Sequence, residues 1–170
     1  MPRVARPSSF PLRAAILVLT ISLFGCDHAT KIAAKASLPA GGLDVVSGVL
    51  ELRYTPNPDV AFSLLHALGL PRTPGLLIAM SSVALLAVLV TWFAARTRAT
   101  RGQHVGFALV VAGALGNVVD RVVRGFVIDF IHLNHWPVFN VADVAVVVGT
   151  ILLMFAAVRK PPPEPAPFEA

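Results

Sequence analysis

Charged side chains are scarce in this chain. Asp, Glu, Lys and Arg together make up 14% of 170 residues, against about 25% in a soluble domain. That is too little charge to clothe a water-facing surface. Apolar types fill 56% of the sequence, and the mean hydropathy is +0.76. A single cysteine, Cys26, excludes an internal disulfide and any multi-cysteine metal centre. Acids are fewer than bases, which leaves a net charge of +5. The basic residues are scattered among apolar runs, however, and no basic patch is interleaved with aromatics, which argues against nucleic acid as a partner. A bilayer is the solvent this composition suits.

The apolar residues fall into runs of membrane length. Pro74–Ala95 holds no charge at all, and at about 1.5 Å per residue it crosses a hydrocarbon layer about 30 Å thick. Gln103–Val119 is a second uninterrupted run, and its Ala108, Ala112, Gly113, Ala114 and Gly116 suit close helix contact. Phe139–Val158 is a third, broken by Asn140 and Asp143. The first candidate, Ala14–Cys26, offers only about 13 apolar residues and reaches membrane length by continuing through Asp27. The expected layout is an α-helical membrane protein with four transmembrane helices, over about 12–34, 74–95, 103–120 and 139–158.

Arginine placement orients these spans. Arg3, Arg6 and Arg13 precede the first, Arg96, Arg98 and Arg101 separate the second from the third, and Arg159 and Lys160 follow the fourth. By the positive-inside rule those short segments, and both termini, are cytoplasmic. Segments 35–73 and 121–138 are then extracytoplasmic. Alternation over Val49–Tyr54 and the β-rich run VIDFIHL read as strands, forming a small β platform and loop over the helix ends. TPNPD breaks the chain, and VAFSLLHAL reads as a short amphipathic stretch. The Pro-rich tail 161–170 is expected to be disordered.

The stretch LFGC ending at Cys26 looks like the end of a signal peptide whose cysteine is to be lipidated. Three further apolar runs follow it, so the segment reads instead as a retained first helix carrying Asp27 near its outer end.

A carboxylate in a span costs several kcal/mol and calls for a reason. Asp27, Asp120, Asp129 and Asp143 all fall near the outer ends of the spans, at one depth. Asn117 and Asp120 are three apart, as are Asn140 and Asp143, so each pair shares a helix face. This suggests one polar site between helices. The plainer reading is that each acid caps a helix end or pairs with Lys31, Arg121 or Arg124. Two carboxylates in a semi-dry site do not both ionise easily, which yields a general acid beside a general base and suits peptide hydrolysis. Spacing leaves the choice between Asp120 and Asp129 open, and the helical-face argument favours Asp120. Cys26 beside Asp27 and His28 is a weak thiol candidate. Asp129, His132 and His135 spell D-x-x-H-x-x-H, which lacks the helical H-E-x-x-H spacing, so no metal site is assigned.

Four blocks in order, DHATK (Asp27–Lys31), NPDVAFSL (Asn57–Leu64), GALGNVVDRVVRGFVIDFI (Gly113–Ile131) and FNVADVAVVVG (Phe139–Gly149), resemble the lipoprotein signal peptidases (signal peptidase II), four-span aspartic peptidases. The likeness covers roughly residues 12–158. It implies Asp129 and Asp143 as the catalytic pair, with Asn117, Asp120 and Arg121 in support. It implies further that Asn57 and Asn140 hold substrate backbone and that Asp27 and Lys31 are structural or substrate-positioning. The implied activity is removal of signal peptides from prolipoproteins before a diacylglyceryl-modified cysteine. No cofactor is implied; membrane lipid and the cyclic peptide inhibitor globomycin are implied partners, and the chain is expected to be monomeric in the bacterial inner membrane, with its site at the outer leaflet. Family members often carry Gly where this chain has Asp59, a departure in the loop over the site. Two other readings differ in class. A small transporter or proton relay would spread its acids across the membrane rather than cluster them at one face. A non-catalytic paralogue binding lipoprotein precursors need not retain both Asp129 and Asp143.

Overall fold

The computed structural model describes residues 10–59, 69, 71 and 73–158. The elements run α1 (Phe10–Ser37), β1 (Leu43–Val46), β2 (Leu50–Asn57), α2 (Pro74–Ala95), α3 (Arg101–Arg124), β3 (Val127–Leu133) and α4 (Val141–Val158). The stretch VAFSLLHAL and the tail lie outside the described residues.

α3 is the hub. α1, α2 and α4 each pack against it, whereas α1 and α2 do not touch one another among the described residues. Small side chains make this possible. A Cβ on Gly113 would overlap the Ala142 carbonyl oxygen, and one on Gly149 would come within 2.6 Å of the Gly106 oxygen. Backbones of α3 and α4 therefore approach directly, the contact that small residues permit in lipid. Ala108, Ala112, Gly113 and Gly116 are buried along α3.

The outside is apolar and the inside polar, the reverse of a soluble protein. Large apolar side chains such as Leu17, Val83, Phe93 and Phe155 are at least 60% exposed, while Asp27, Lys31, Asp120 and Asn140 are at most 1% exposed. Three helices are long and apolar enough to cross a membrane, and Val141–Ala157 in α4 is a shorter apolar helix. This is an α-helical membrane protein with four helices and a small β platform.

Local sequence sets where the helices stop. Thr73 caps α2 ahead of Pro74. Thr100 and Gln103 form a capping box at the start of α3, and Gly125, at φ 81°, closes its other end with its N–H on the Arg121 oxygen. α3 thus extends past the expected 103–120, and Arg121 and Arg124 are helical rather than in a loop. α1 likewise runs to Ser37. α4 begins at Val141 and not at 139, because Phe139 pairs back onto Ile131 of β3.

The sheet is antiparallel in the order β1-β2-β3. Gly48, at φ 70°, lies in the turn between β1 and β2. The register sets Thr55 opposite Asp129 and Asn57 opposite Val127. Val127–Phe130 are buried, so β3 carries Asp129 into the cluster at the helix ends.

Candidate active site

The four aspartates expected at one depth belong to a single hydrogen-bonded cluster, but they fall into two groups. Lys31 anchors the first. Its ammonium is fully buried and lies 2.7 Å from Asp27 Oδ2, 3.0 Å from Asp120 Oδ2 and 3.0 Å from Asn117 Oδ1. The contact with Asn117 is a hydrogen bond, and the two with the carboxylates are ion pairs. Asp120 also pairs with Arg124 and takes the Ile128 N–H at 3.3 Å. The other oxygen of Asp27 accepts from the Ala142 N–H at 3.0 Å, one of the donors that the first turn of α4 leaves unpaired. Gly116 permits this approach, since a Cβ there would stand 2.6 Å from Asp27 Oδ2. Asp27 and Asp120 are thus spoken for by cations and backbone. The oxygens of Asp120, which the helical-face argument favours, are taken by Lys31, Arg124 and the Ile128 N–H.

Asp129 and Asp143 form the second group, held by amides instead of cations. Asn57 Nδ2 donates to Asp129 Oδ2 at 2.7 Å, and Asn140 Nδ2 donates to Asp129 Oδ1 at 2.6 Å. Asn117 Nδ2 donates to Asp143 Oδ1 at 2.8 Å, and the Asn140 backbone N–H donates to Asp143 Oδ2 at 3.1 Å. The Asp143 N–H returns a bond to Asn140 Oδ1 at 3.0 Å. Asn140 and Asp143 therefore make a reciprocal cap at the start of α4. Asn140 precedes the helix, so the pair does not share a helix face as the spacing suggested. Asp143 thus takes part in the cap of α4 and also accepts from Asn117 on α3.

Each of the three asparagines has its oxygen already committed. Asn57 Oδ1 accepts from the Asp59 N–H at 2.9 Å, Asn117 Oδ1 from Lys31, and Asn140 Oδ1 from the Asp143 N–H. The amide nitrogens are thereby forced onto the acids, with no freedom to flip. Asp59 also supplies its carbonyl to Arg121 Nη2 at 2.8 Å, and Arg121, 8% exposed, reaches the Asn117 carbonyl with Nη1 at 3.4 Å. One residue just beyond β2, Asp59, thus ties Asn57 to Arg121.

Burial pushes the Asp129 carboxyl up to about 6, and the charge of Asp143 adds to the rise; the bonds from Asn57 and Asn140 pull the other way. Asp129 is 2% exposed and Asp143 half-buried. A carboxyl whose hold on its proton is raised, beside one that is partly open to water, is the arrangement general acid–base chemistry uses. Every residue named from the sequence, Asn57, Asn117, Asp120, Arg121, Asn140, Asp27, Lys31, Asp129 and Asp143, lies in this cluster. The D-x-x-H-x-x-H run does not converge: His132 Nδ1 lies 3.0 Å from Glu51 Oε2 on β2, and His135 sits in the turn beyond β3. Cys26 is exposed on α1.

Four helices with lipid-facing apolar surfaces, closed at one end over an acid–amide cluster, define a multi-pass membrane protein with a buried polar site. The chain belongs to the signal peptidase II family. The sequence profile described as "Signal peptidase (SPase) II" matches residues 19–159. The lipoprotein signal peptidase of Pelotomaculum thermopropionicum is 39% identical over 131 residues, covering 76% of this chain and 82% of that protein. That of Geobacter metallireducens is 37% identical, covering 84% and 89%. That of Nitratidesulfovibrio vulgaris is 34% identical, covering 88% and 92%. A solved bacterial membrane enzyme superposes with a TM-score of 0.74 at 25% identity, over 87% of this chain and 95% of the other.

Proposed function

We propose that this chain is an aspartic endopeptidase that removes signal peptides from prolipoproteins at the bond before a diacylglyceryl-modified cysteine, with Asp129 and Asp143 as its catalytic pair. The observation that carries the reading is the double role of Asn140. Its side chain donates to Asp129 and its backbone N–H to Asp143, so both carboxyls are held on one residue. The named activity of the relatives supports the substrate.

In the proposed cycle Asp129 is the acid. Its proton is shared with the oxygen of the scissile carbonyl, while the Asp143 carboxylate takes a proton from the attacking water. Oxygen from that water bonds to the carbonyl carbon, giving a tetrahedral intermediate. Its collapse breaks the C–N bond as the proton held by Asp143 passes to the leaving amine, and Asp129 recovers its own. Asn57 and Asn140 hold the acid and border the substrate backbone, and Asn117 holds the base. Lys31, Asp27, Asp120 and Arg121 fix the frame. The substrate is itself an apolar helix ending in small residues, so a site reached from within the bilayer accepts it without extraction.

Arg13, Arg96, Arg98 and Arg101 lie at the helix ends opposite the acids, which by the positive-inside rule supports the reading that both termini are cytoplasmic and the site lies at the outer leaflet of the bacterial inner membrane. A monomer suffices, since each site residue comes from one chain, and globomycin is the expected inhibitor.

The test is cleavage of a lipidated precursor by purified protein, with Asp129→Asn and Asp143→Asn made separately. Each substitution is expected to reduce turnover by at least about 100-fold while membrane insertion and the thermal transition persist. Either variant cleaving at the native rate would remove the pair from the mechanism. Native protein that cleaves nothing would favour the relay or precursor-binding readings instead. Activity should withstand a chelator.

A further inference from the structure

The acid cluster occupies one end of the bundle, and a second feature occupies the other. Because α1 and α2 both lean on α3 without meeting, a groove of about 1060 Å³ opens between them. Its walls include Ile16, Leu89 and Trp92. It stops at Thr20 on α1, about 10 Å along the helix from Asp27, and is separate from the proposed catalytic site. In a bilayer such a groove fills with hydrocarbon, so its selectivity is decided at the mouth.

The mouth is basic. Arg13 on α1, Arg96 just past the end of α2 and His104 on α3 all line it, and among the described residues no carboxylate does. Arg96 is held in place: its guanidinium carbon lies 3.5 Å from the Phe93 ring centroid, and Nη1 donates to the Phe93 carbonyl at 2.5 Å. His104 Nδ1 accepts from the Trp92 indole at 3.0 Å. The neutral ring therefore carries its proton on Nε2, as a further donor. Three helices bring three donors around one apolar slot.

We propose that this groove binds an anionic diacyl phospholipid of the arginine-side leaflet, with an acyl chain along Ile16, Leu89 and Trp92 and the phosphate against Arg13, Arg96 and His104. The inference needs only that the protein spans a membrane and is independent of the catalytic reading. Charge separates this occupant from its rivals. A zwitterionic lipid brings an ammonium group towards the two arginines. A signal peptide begins with a positive segment and would set it against them, and a second copy related by a two-fold axis would bring four arginines together.

The protein contains two tryptophans, and Trp136→Phe leaves Trp92 as a reporter inside the groove. The full-length variant is reconstituted into phosphatidylcholine vesicles containing a fixed minor fraction of acyl-brominated phosphatidylglycerol or acyl-brominated phosphatidylcholine. The anionic lipid is expected to quench Trp92 at least about twofold more strongly. Arg13→Gln with Arg96→Gln should equalise the two lipids; Arg98→Gln with Arg101→Gln, which alters the same membrane face outside the groove, should leave the preference intact. Equal quenching in the parent protein overturns the proposal. So does a preference that survives loss of Arg13 and Arg96, or one that Arg98 and Arg101 control equally. Displacement of the brominated lipid by a signal peptide or by self-association overturns it as well. If the double variant misfolds, Arg13→Gln alone decides: part of the preference should go, and none going counts against the site.

Discussion

Lys31 donates to the side-chain oxygen of Asn117 across 3.0 Å, and that bond turns the amide nitrogen towards Asp143, 2.8 Å away. The same ammonium is ion-paired with both Asp27 and Asp120. Lys31→Met should therefore do two separable things. Two buried carboxylates lose a counter-ion, which costs about 3–5 kcal/mol, and Asn117 becomes free to flip. A lower thermal transition in detergent with loss of cleavage is the expected result. Adding Asp27→Asn should recover part of the stability and none of the turnover. A Lys31→Met protein that melts like the parent would refute this account of the cluster.

The second prediction concerns pH. Asp129 is pushed up to about 6. In the proposed cycle it is the proton-holding partner, which would support catalysis below that value and lose its proton as the pH rises through it. kcat/KM should fall along a limb whose apparent pKa, a property of the coupled pair, lies near 6. The bond from Asn57 favours the charged form. Asn57→Ala should thus move the limb to higher pH, so that the relative loss at alkaline pH shrinks even as the peak rate drops. A limb that stays in place, or moves to lower pH, contradicts the assignment.

Asn140 combines a helix cap with a bond to Asp129, and two substitutions separate these roles. Asn140→Ala removes both and should cost roughly 1 kcal/mol of helix capping together with most of the activity. In Asn140→Ser the hydroxyl can still accept from the Asp143 N–H. The thermal transition should then recover while cleavage stays low. Recovery of both would show that Asn140 acts through the cap alone.

Gly113 tests the helix packing that supports the site. A Cβ there overlaps the Ala142 carbonyl oxygen, so Gly113→Ala must part α3 from α4, at about 1–3 kcal/mol. Gly25 on α1 has nothing within 4 Å of a Cβ, and Gly25→Ala should be neutral or slightly stabilising. Equal melting of the two variants would mean the α3–α4 crossing yields more readily than its geometry implies.

Much of this was legible because lipid penalises polarity. Asp27, Lys31, Asn117, Asp120, Asn140 and Asp143 stand out against apolar runs, and all of them meet. Strand β3 was visible in VIDFIHL and β2 in the alternation around Val49–Tyr54. Strand β1 was missed, although the Ser47–Gly48 dipeptide is a turn signal and Gly48 takes a positive φ. What periodicity could not supply was the choice of Asp129. Helical spacing pairs Asn117 with Asp120, but the register that carries Asp129 inward is set between β2 and β3, over a long sequence separation. Asn57, too, reaches Asp129 only through that pairing, and only the family resemblance marked it in advance. α3 continues beyond the expected span to Arg124, where Gly125 stops the helix.

The ion pairs have one more consequence, for how the chain enters the membrane. Asp27 and Lys31 lie one turn apart on α1, and Asp120 and Arg124 one turn apart on α3. Each of these helices carries its own counter-ion. During biogenesis the acid in either helix therefore has a counter-ion within its own segment before the neighbouring helices have been synthesised. The bridge from Lys31 to Asp120 closes only when the two helices meet, so it serves as a latch for assembly and not as a toll on insertion.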